Sequence, residues 1–285
     1  MKKKNILWLI AFALLMPLFV LTACSDDDDD DNDNDTNGDK TEQTAKDGTK
    51  VLSKKLTKIV RTNKDASIIK TFHFDEYGRF VNYIRTEIDG DKEYSSDRPM
   101  FYTDKRITSS LIDYNLENGR VVSSDYHDGD WTEETTYNYS ADGYILSSST
   151  KYGSSERKVS STATYNVKNG KLESVEEKYV AAEGYEDYNE VTTYTYGNVL
   201  NNLNVDLFWF FGEAAQTEEP VPFGVRFTHL PILVTEVETQ GGAEVYTETT
   251  EYTYEFDGDY ISKVRVRFFD SEGDTSNSTL EFFYE

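Results

Sequence analysis

The sequence predicts an all-β domain built as a single antiparallel meander of hairpins. Three observations carry that expectation. The composition favours strand formers, with 21 Tyr and 16 Phe among many Thr and Val. Apolar and polar residues alternate with period two, as in Thr135-Thr136-Tyr137-Asn138-Tyr139 and Val264-Arg265-Val266-Arg267-Phe268, which is the pattern of half-buried strands. A glycine-centred turn then recurs between alternating runs. It is seen in "FHFDEYGRFVNYI" (72–84), "IDYNLENGRVVSS" (112–124), "YNYSADGYILSSS" (137–149), "TYNVKNGKLESV" (164–175) and "YTYEFDGDYISKV" (252–264). Glycine takes the positive φ of a tight reversal and Asp or Asn tolerates the neighbouring position, so each copy reads as one hairpin. An apolar residue follows each glycine by two or three places. The glycines are unevenly spaced, which argues against a strict solenoid.

Ahead of the hairpins stand two segments of other kinds. Residues 1–23 begin with Lys2, Lys3 and Lys4 and then run apolar from Ile6 to Ala23, with breaks only at Pro17 and Thr22. A basic start followed by an apolar stretch describes a secretory signal; an uncleaved anchor is the alternative, since the run approaches the ~18–20 residues of a membrane span. The run closes on Leu21-Thr22-Ala23-Cys24, which resembles the bacterial lipobox. That resemblance implies cleavage before Cys24 and lipid attachment to Cys24. Cys24 is the sole cysteine, so the chain has no disulfide framework. Residues 24–50 form an acidic tether, opening with Ser25, Asp26, Asp27, Asp28, Asp29, Asp30 and Asp31. Blocks of like charge repel and stay disordered. Their position directly after the cysteine resembles the export tag of Bacteroidetes lipoproteins. The implied address is the outer membrane, at the cell surface, with the periplasmic face as the alternative.

Residues 51–285 form the folded part, predicted as one β-rich domain. The whole chain carries a formal charge of −24, and this part alone holds 42 acidic and 23 basic residues. Such a surface repels phosphate backbones and excludes nucleic acid as a partner. No Asp-x-Asp-x-Asp-Gly loop occurs, and His73, His127 and His229 fit no metal-ligand spacing. No cofactor or metal is therefore expected. No Gly-x-Ser-x-Gly elbow or phosphate loop is present, so no catalytic residue is assigned. Glu133/Glu134 and Glu176/Glu177 are carboxylate pairs of the kind a glycosidase uses, but among so many acids such pairs arise by chance. Trp131 and Trp209 are the candidate ligand contacts, because aromatic faces suit sugar rings; filling the core is their other role.

One segment interrupts the alternation. "NVLNNLNVDLFWFFGE" (198–213) sets Leu203, Leu207, Phe208, Phe210 and Phe211 near helical spacing. A short helix or a packed loop is expected over 203–212, either plugging a barrel mouth or lining a site. Alternation resumes in "FGVRFTHLPILVTEV" (223–237).

The lipobox start, the glycine hairpins, Asn201, Asn202, Asn204, Asp206 and Trp209, and then Phe223-Gly224 and Leu230-Pro231, together resemble the Bacteroidetes family DUF4595, a domain of unknown function. The resemblance implies a porin-like fold, a sheet curled towards a barrel. Closure would also remove the exposed edges of a long meander. The outward positions of "SSSTKYGSSERKVSSTATYN" (147–166) hold Ser, Thr, Lys and Glu, unlike the lipid-facing wall of a transmembrane barrel. Three function classes follow. The first is a non-enzymatic module binding a glycan or a protein. The second is a carrier of an apolar ligand inside the curled sheet. The third, a hydrolase, has the least support.

Overall fold

The computed structural model describes residues 52–64, 66–76, 79–110, 112–154, 158–180, 187–208, 221 and 223–285. Cys24, Ser25 and the aspartates 26–31 lie outside these residues, as do Gly78 and Trp209. The described chain is all-β. Its strands are β1 (Leu56–Thr62), β2 (Ala66–Phe74), β3 (Phe80–Asp89), β4 (Lys92–Pro99), β5 (Phe101–Thr103) and β6 (Arg106–Thr108). They continue as β7 (Ile112–Glu117), β8 (Arg120–Asp128), β9 (Trp131–Tyr139), β10 (Ile145–Gly153), β11 (Lys158–Lys168) and β12 (Lys171–Val180). The last five are β13 (Tyr188–Leu200), β14 (His229–Gln240), β15 (Ala243–Asp257), β16 (Tyr260–Asp270) and β17 (Thr275–Tyr284).

Antiparallel ladders join sequential neighbours from β1 to β4 and from β5 to β17. β17 then returns to pair with β1, Phe282 opposite Ile59, so the meander curls into a nearly closed barrel. At the seam β4 and β5 meet end to end at Met100, whose N–H donates to the Val81 carbonyl at 2.8 Å. Closure gives both edge strands a partner and removes the template for aggregation that a long meander would expose.

The glycine turns are hairpins. Gly119, Gly143, Gly170 and Gly258 all have positive φ, between 61° and 87°. The apolar residue after each one, Val121, Ile145, Leu172 or Ile261, is buried, and the ladder shifts register beside every one of them. A bulge leaves the local backbone short of ladder partners. Tyrosines supply the missing donors: Tyr139 donates to the Val121 carbonyl, Tyr196 to Leu172 and Tyr284 to Ile261. The recurrent aromatics of the sequence therefore serve the turns as well as the core.

The ends of the barrel differ. At one end Lys55 and Glu285 exchange two backbone hydrogen bonds of 2.8 and 2.9 Å. The β13–β14 connection folds into the same end. Its Leu203, Val205, Leu207, Phe208, Val221, Phe223 and Phe227 all belong to the hydrophobic core, beside Leu56, Phe80, Tyr114, Ile145 and Leu172 of the barrel wall. Of the short helix or packed loop expected over 203–212, the described part, 203–208, is packed loop. It is a plug, and polar contacts fix it. Asn201 donates to Asp206 and to the Phe227 carbonyl, and accepts from Leu207 N–H at 3.1 Å. Asn204 accepts from Leu56 N–H at 2.7 Å. Asp206 is fully buried, with Arg226 at 3.9 Å; burial raises its pKa and the Arg226 charge opposes that. On the outer wall, charged side chains pair across strands, as in Arg265–Glu255 at 2.6 Å and Lys263–Glu281 at 3.0 Å. Such a wall suits water, since a charge facing lipid costs about 2–4 kcal/mol at the bilayer midplane.

Candidate functional site in the barrel rim

Along each strand the inward positions change character from the plug to the opposite rim. β12 presents Leu172 and Val175, then Glu177 and Tyr179. β14 presents Leu230 and Val234, then Glu236 and Glu238, while β1 passes from Ile59 to Arg61. The plug and core fill one half of the barrel. The other half is lined by carboxylates, hydroxyls and rings.

Register brings the acids together on one wall. Glu177 pairs with Glu190, Glu190 with Glu238, and Glu236 with Glu248. Carboxylate oxygens of Glu190, Glu236 and Glu238 all lie within 4.8 Å of one another. Tyr246 donates to Asp270 at 3.1 Å at the end of the same wall. Tyr179 and Tyr188 stack at 4.1 Å between ring centroids, and Trp131 lies 6.2 Å from Tyr152. The inward bases Arg61, Lys70, Arg85 and Arg98 stand on β1–β4 instead, Lys70 directly opposite Arg85 and Arg98 opposite Tyr83. Burial lowers the Arg61 pKa.

Of the two carboxylate pairs noted in the sequence, neither survives as a pair. Adjacent residues on a strand face opposite ways, so Glu134 and Glu176 are exposed while Glu133 and Glu177 turn inward. The charge of Glu177 is felt by Glu133 across the wall. Burial pushes Glu133 up to about 7, with the Thr135 hydroxyl opposing and the Glu177 charge adding to the rise. Glu177, 5 % exposed, is likewise pushed up to about 7 by burial, and the Ser161 and Tyr179 hydroxyls offset part of it.

Trp131 is half-buried at the start of β9, on the face that holds Glu133 and Thr135. It sits at the rim, where a ligand entering the barrel would meet it first. Trp209 lies outside the described residues. His73 is on β2 and His127 on β8, with no shared site; His229 accepts or donates one hydrogen bond with Thr228 at 2.8 Å. The acidic wall itself escaped the sequence reading. Its signal was present as acids in phase with buried apolar residues, Glu177 with Val175 and Glu236 with Val234, but phase alone does not say which strands are neighbours.

The architecture has solved counterparts. The fold is shared with porin-like proteins of Bacteroides. A porin-like protein from Bacteroides vulgatus superposes with a TM-score of 0.61 at 17 % identity, covering 82 % of this chain and 99 % of that one. One from Bacteroides uniformis gives 0.55 at 17 % identity, covering 81 % and 98 %. No protein-family model matches the chain, DUF4595 included, and no curated protein matches it.

Proposed function

We propose that this chain is an outer-membrane lipoprotein, anchored through Cys24, whose barrel rim is a non-enzymatic binding module for a glycan. The division of the barrel interior carries the reading. The apolar half is occupied by the protein's own plug, which leaves an apolar cargo no place. The polar half offers half-buried rings for sugar faces at Trp131 and Tyr188, backed by the buried Tyr152 and Tyr179, beside carboxylates that accept from hydroxyls. Residue 52 joins the plugged end through Leu52 N–H and the Asn202 carbonyl, 3.0 Å apart. A tether from Cys24 therefore reaches that end and leaves the rim pointing away from the bilayer. Ser25 and Asp26 to Asp31 serve as the export tag, and the porin-like neighbours agree with an outer-membrane setting.

Two experiments test this. Cys24→Ala abolishes fatty-acid labelling and releases the protein from the membrane fraction, whereas replacing the six aspartates with alanine keeps the label and removes protease accessibility on whole cells. A shaved aspartate-free variant overturns the surface assignment. For the ligand, titration of an oligosaccharide panel is expected to change tryptophan fluorescence. Trp131→Ala should remove that response and shift the urea midpoint little, as rim substitutions stay within about 0.5 kcal/mol. A panel without any binder overturns the glycan reading.

The inward Glu133 and Glu177 favour a second reading, a glycoside hydrolase, since carboxyls held near neutral pH suit acid–base work. Release of reducing ends from a bound oligosaccharide, lost in Glu177→Gln, is the result that selects it.

A further inference from the structure

We propose that the inner face of β1–β4 is a subsite for an oxyanion, so that the sugar taken at the rim is an acidic one, carrying carboxylate or sulfate groups. This assignment rests on the glycan reading of the rim and narrows it to one class of sugar. Register builds the subsite. Lys70 on β2 lies directly opposite Arg85 on β3. Arg61 on β1 lies opposite Ile68, two residues from Lys70. Arg98 on β4 lies two residues from Ser96, the partner of Arg85. The four bases therefore form one diagonal band across four adjacent strands, on the face that buries Ile59, Phe72 and Tyr83. Opposite side chains stand about 4.5–5.5 Å apart at Cβ and diagonal ones about 7–8 Å, and like charges set opposite one another destabilise a sheet. A bound anion offsets that repulsion.

Arg61 supplies an independent observation. Its side chain is half-buried, and burial works against its charge. A guanidinium does not shed its proton in a protein, so the charge stays and calls for a counter-charge. Among the described residues no carboxylate pairs with Arg61; Tyr252 is the group that acts on it. Glu87 offsets one charge of the band, its Oε2 2.9 Å from Arg85 Nη1, and these two side chains are 38 % and 27 % exposed. Water therefore reaches the band, and a small anionic group can follow. A planar guanidinium suits such a group, donating two parallel hydrogen bonds to it. The carboxylates of β12–β14 lie beyond β15–β17 in the same sheet. They accept from hydroxyls and repel a densely charged chain. A sugar that turns hydroxyls to the glutamates and a single anionic group to Arg61 satisfies both walls.

The test titrates oligosaccharides in matched pairs by calorimetry: uronate-bearing chains with their carboxyl-reduced forms, and sulfated chains with their desulfated forms. The acidic member of a binding pair should bind about tenfold tighter or more. A gain confined to the uronates assigns a carboxylate, and one confined to the sulfated chains a sulfate. Arg61→Gln should bind both members of that pair alike, and Arg61→Lys should keep part of the preference. The outward Arg265→Gln, 67 % exposed in the parent, should keep all of it. Should Arg61→Gln lack the parent's circular dichroism, Arg85→Gln is read in its place. Equal affinities within every binding pair, or a preference that survives in the folded variants, overturn the anion subsite and leave the glycan reading standing. A panel in which no member of any pair binds overturns both.

Discussion

Gly224→Ala is expected to lower stability by on the order of 3–5 kcal/mol, read as a fall in urea midpoint and the gain of dye-binding apolar surface. Gly224 has φ of +106°, and a Cβ there would lie 2.3 Å from the Gly143 carbonyl oxygen and 2.8 Å from two carbons of the Tyr139 ring. Neither neighbour can yield. The Gly143 carbonyl accepts from Val225 N–H at 2.8 Å. Tyr139 is held by its bond to Val121 and by the Arg120 guanidinium 4.6 Å over its ring. Overpacking costs about 1–3 kcal/mol and a forbidden backbone region another 1–3 kcal/mol. The two add here because the same residue suffers both. Gly258→Ala is the control. Its φ is +61° with open space around it, and only the left-handed backbone cost of about 1–2 kcal/mol remains. Equal midpoints for the two variants would mean that the plug does not seat against the 140–144 turn.

The second large effect is a dependence of stability on pH through Glu133 and Glu177. Both carboxyls are pushed by burial from 4.5 to about 7 in the folded protein. Between those values the native state holds protons that the unfolded chain releases, so the slope of unfolding free energy with pH is negative. Their stabilising contribution is complete below about pH 4.5, declines as pH rises, and is lost above about 7. At about 1.36 kcal/mol per pH unit each displacement is worth on the order of 3 kcal/mol. Urea midpoints should therefore fall from pH 5 to pH 8. Glu177→Gln should raise the midpoint at pH 8 and flatten the slope. A Gln variant with the parental slope would place the pH dependence in the acidic surface instead.

The glutamates also show how far residue order alone carries the site. That Glu177 shares a face with Val175 and Tyr179 is legible from period two. That Glu133 approaches it is not, because the strands between them carry nothing that announces their register. Glu190, Glu236 and Glu238 meet for the same reason: Glu236 lies 46 positions after Glu190, and the β13–β14 ladder closes that distance. The plug was half legible. Its apolar content and Asn-rich entry were visible, but spacing left helix and packed loop both open, and the loop is decided by Asn201, Asn204 and Asp206, which take its backbone partners.

Local rules thus determined the strands and their turns. Alternation decides which residues leave a sheet on the same side, and a positive φ decides where the chain reverses; both act within a few residues, and every described turn glycine of the repeat obeys them. Tertiary structure decided the rest. Pairing of β17 with β1 joins residues more than two hundred positions apart, and that closure turns one face of a meander into an interior. Once closed, the interior has two ends, and the insert occupies one because its apolar side chains find no other burial. The acidic wall then belongs to the end left over, since buried charge is tolerated only where water, a partner or a ligand can reach it.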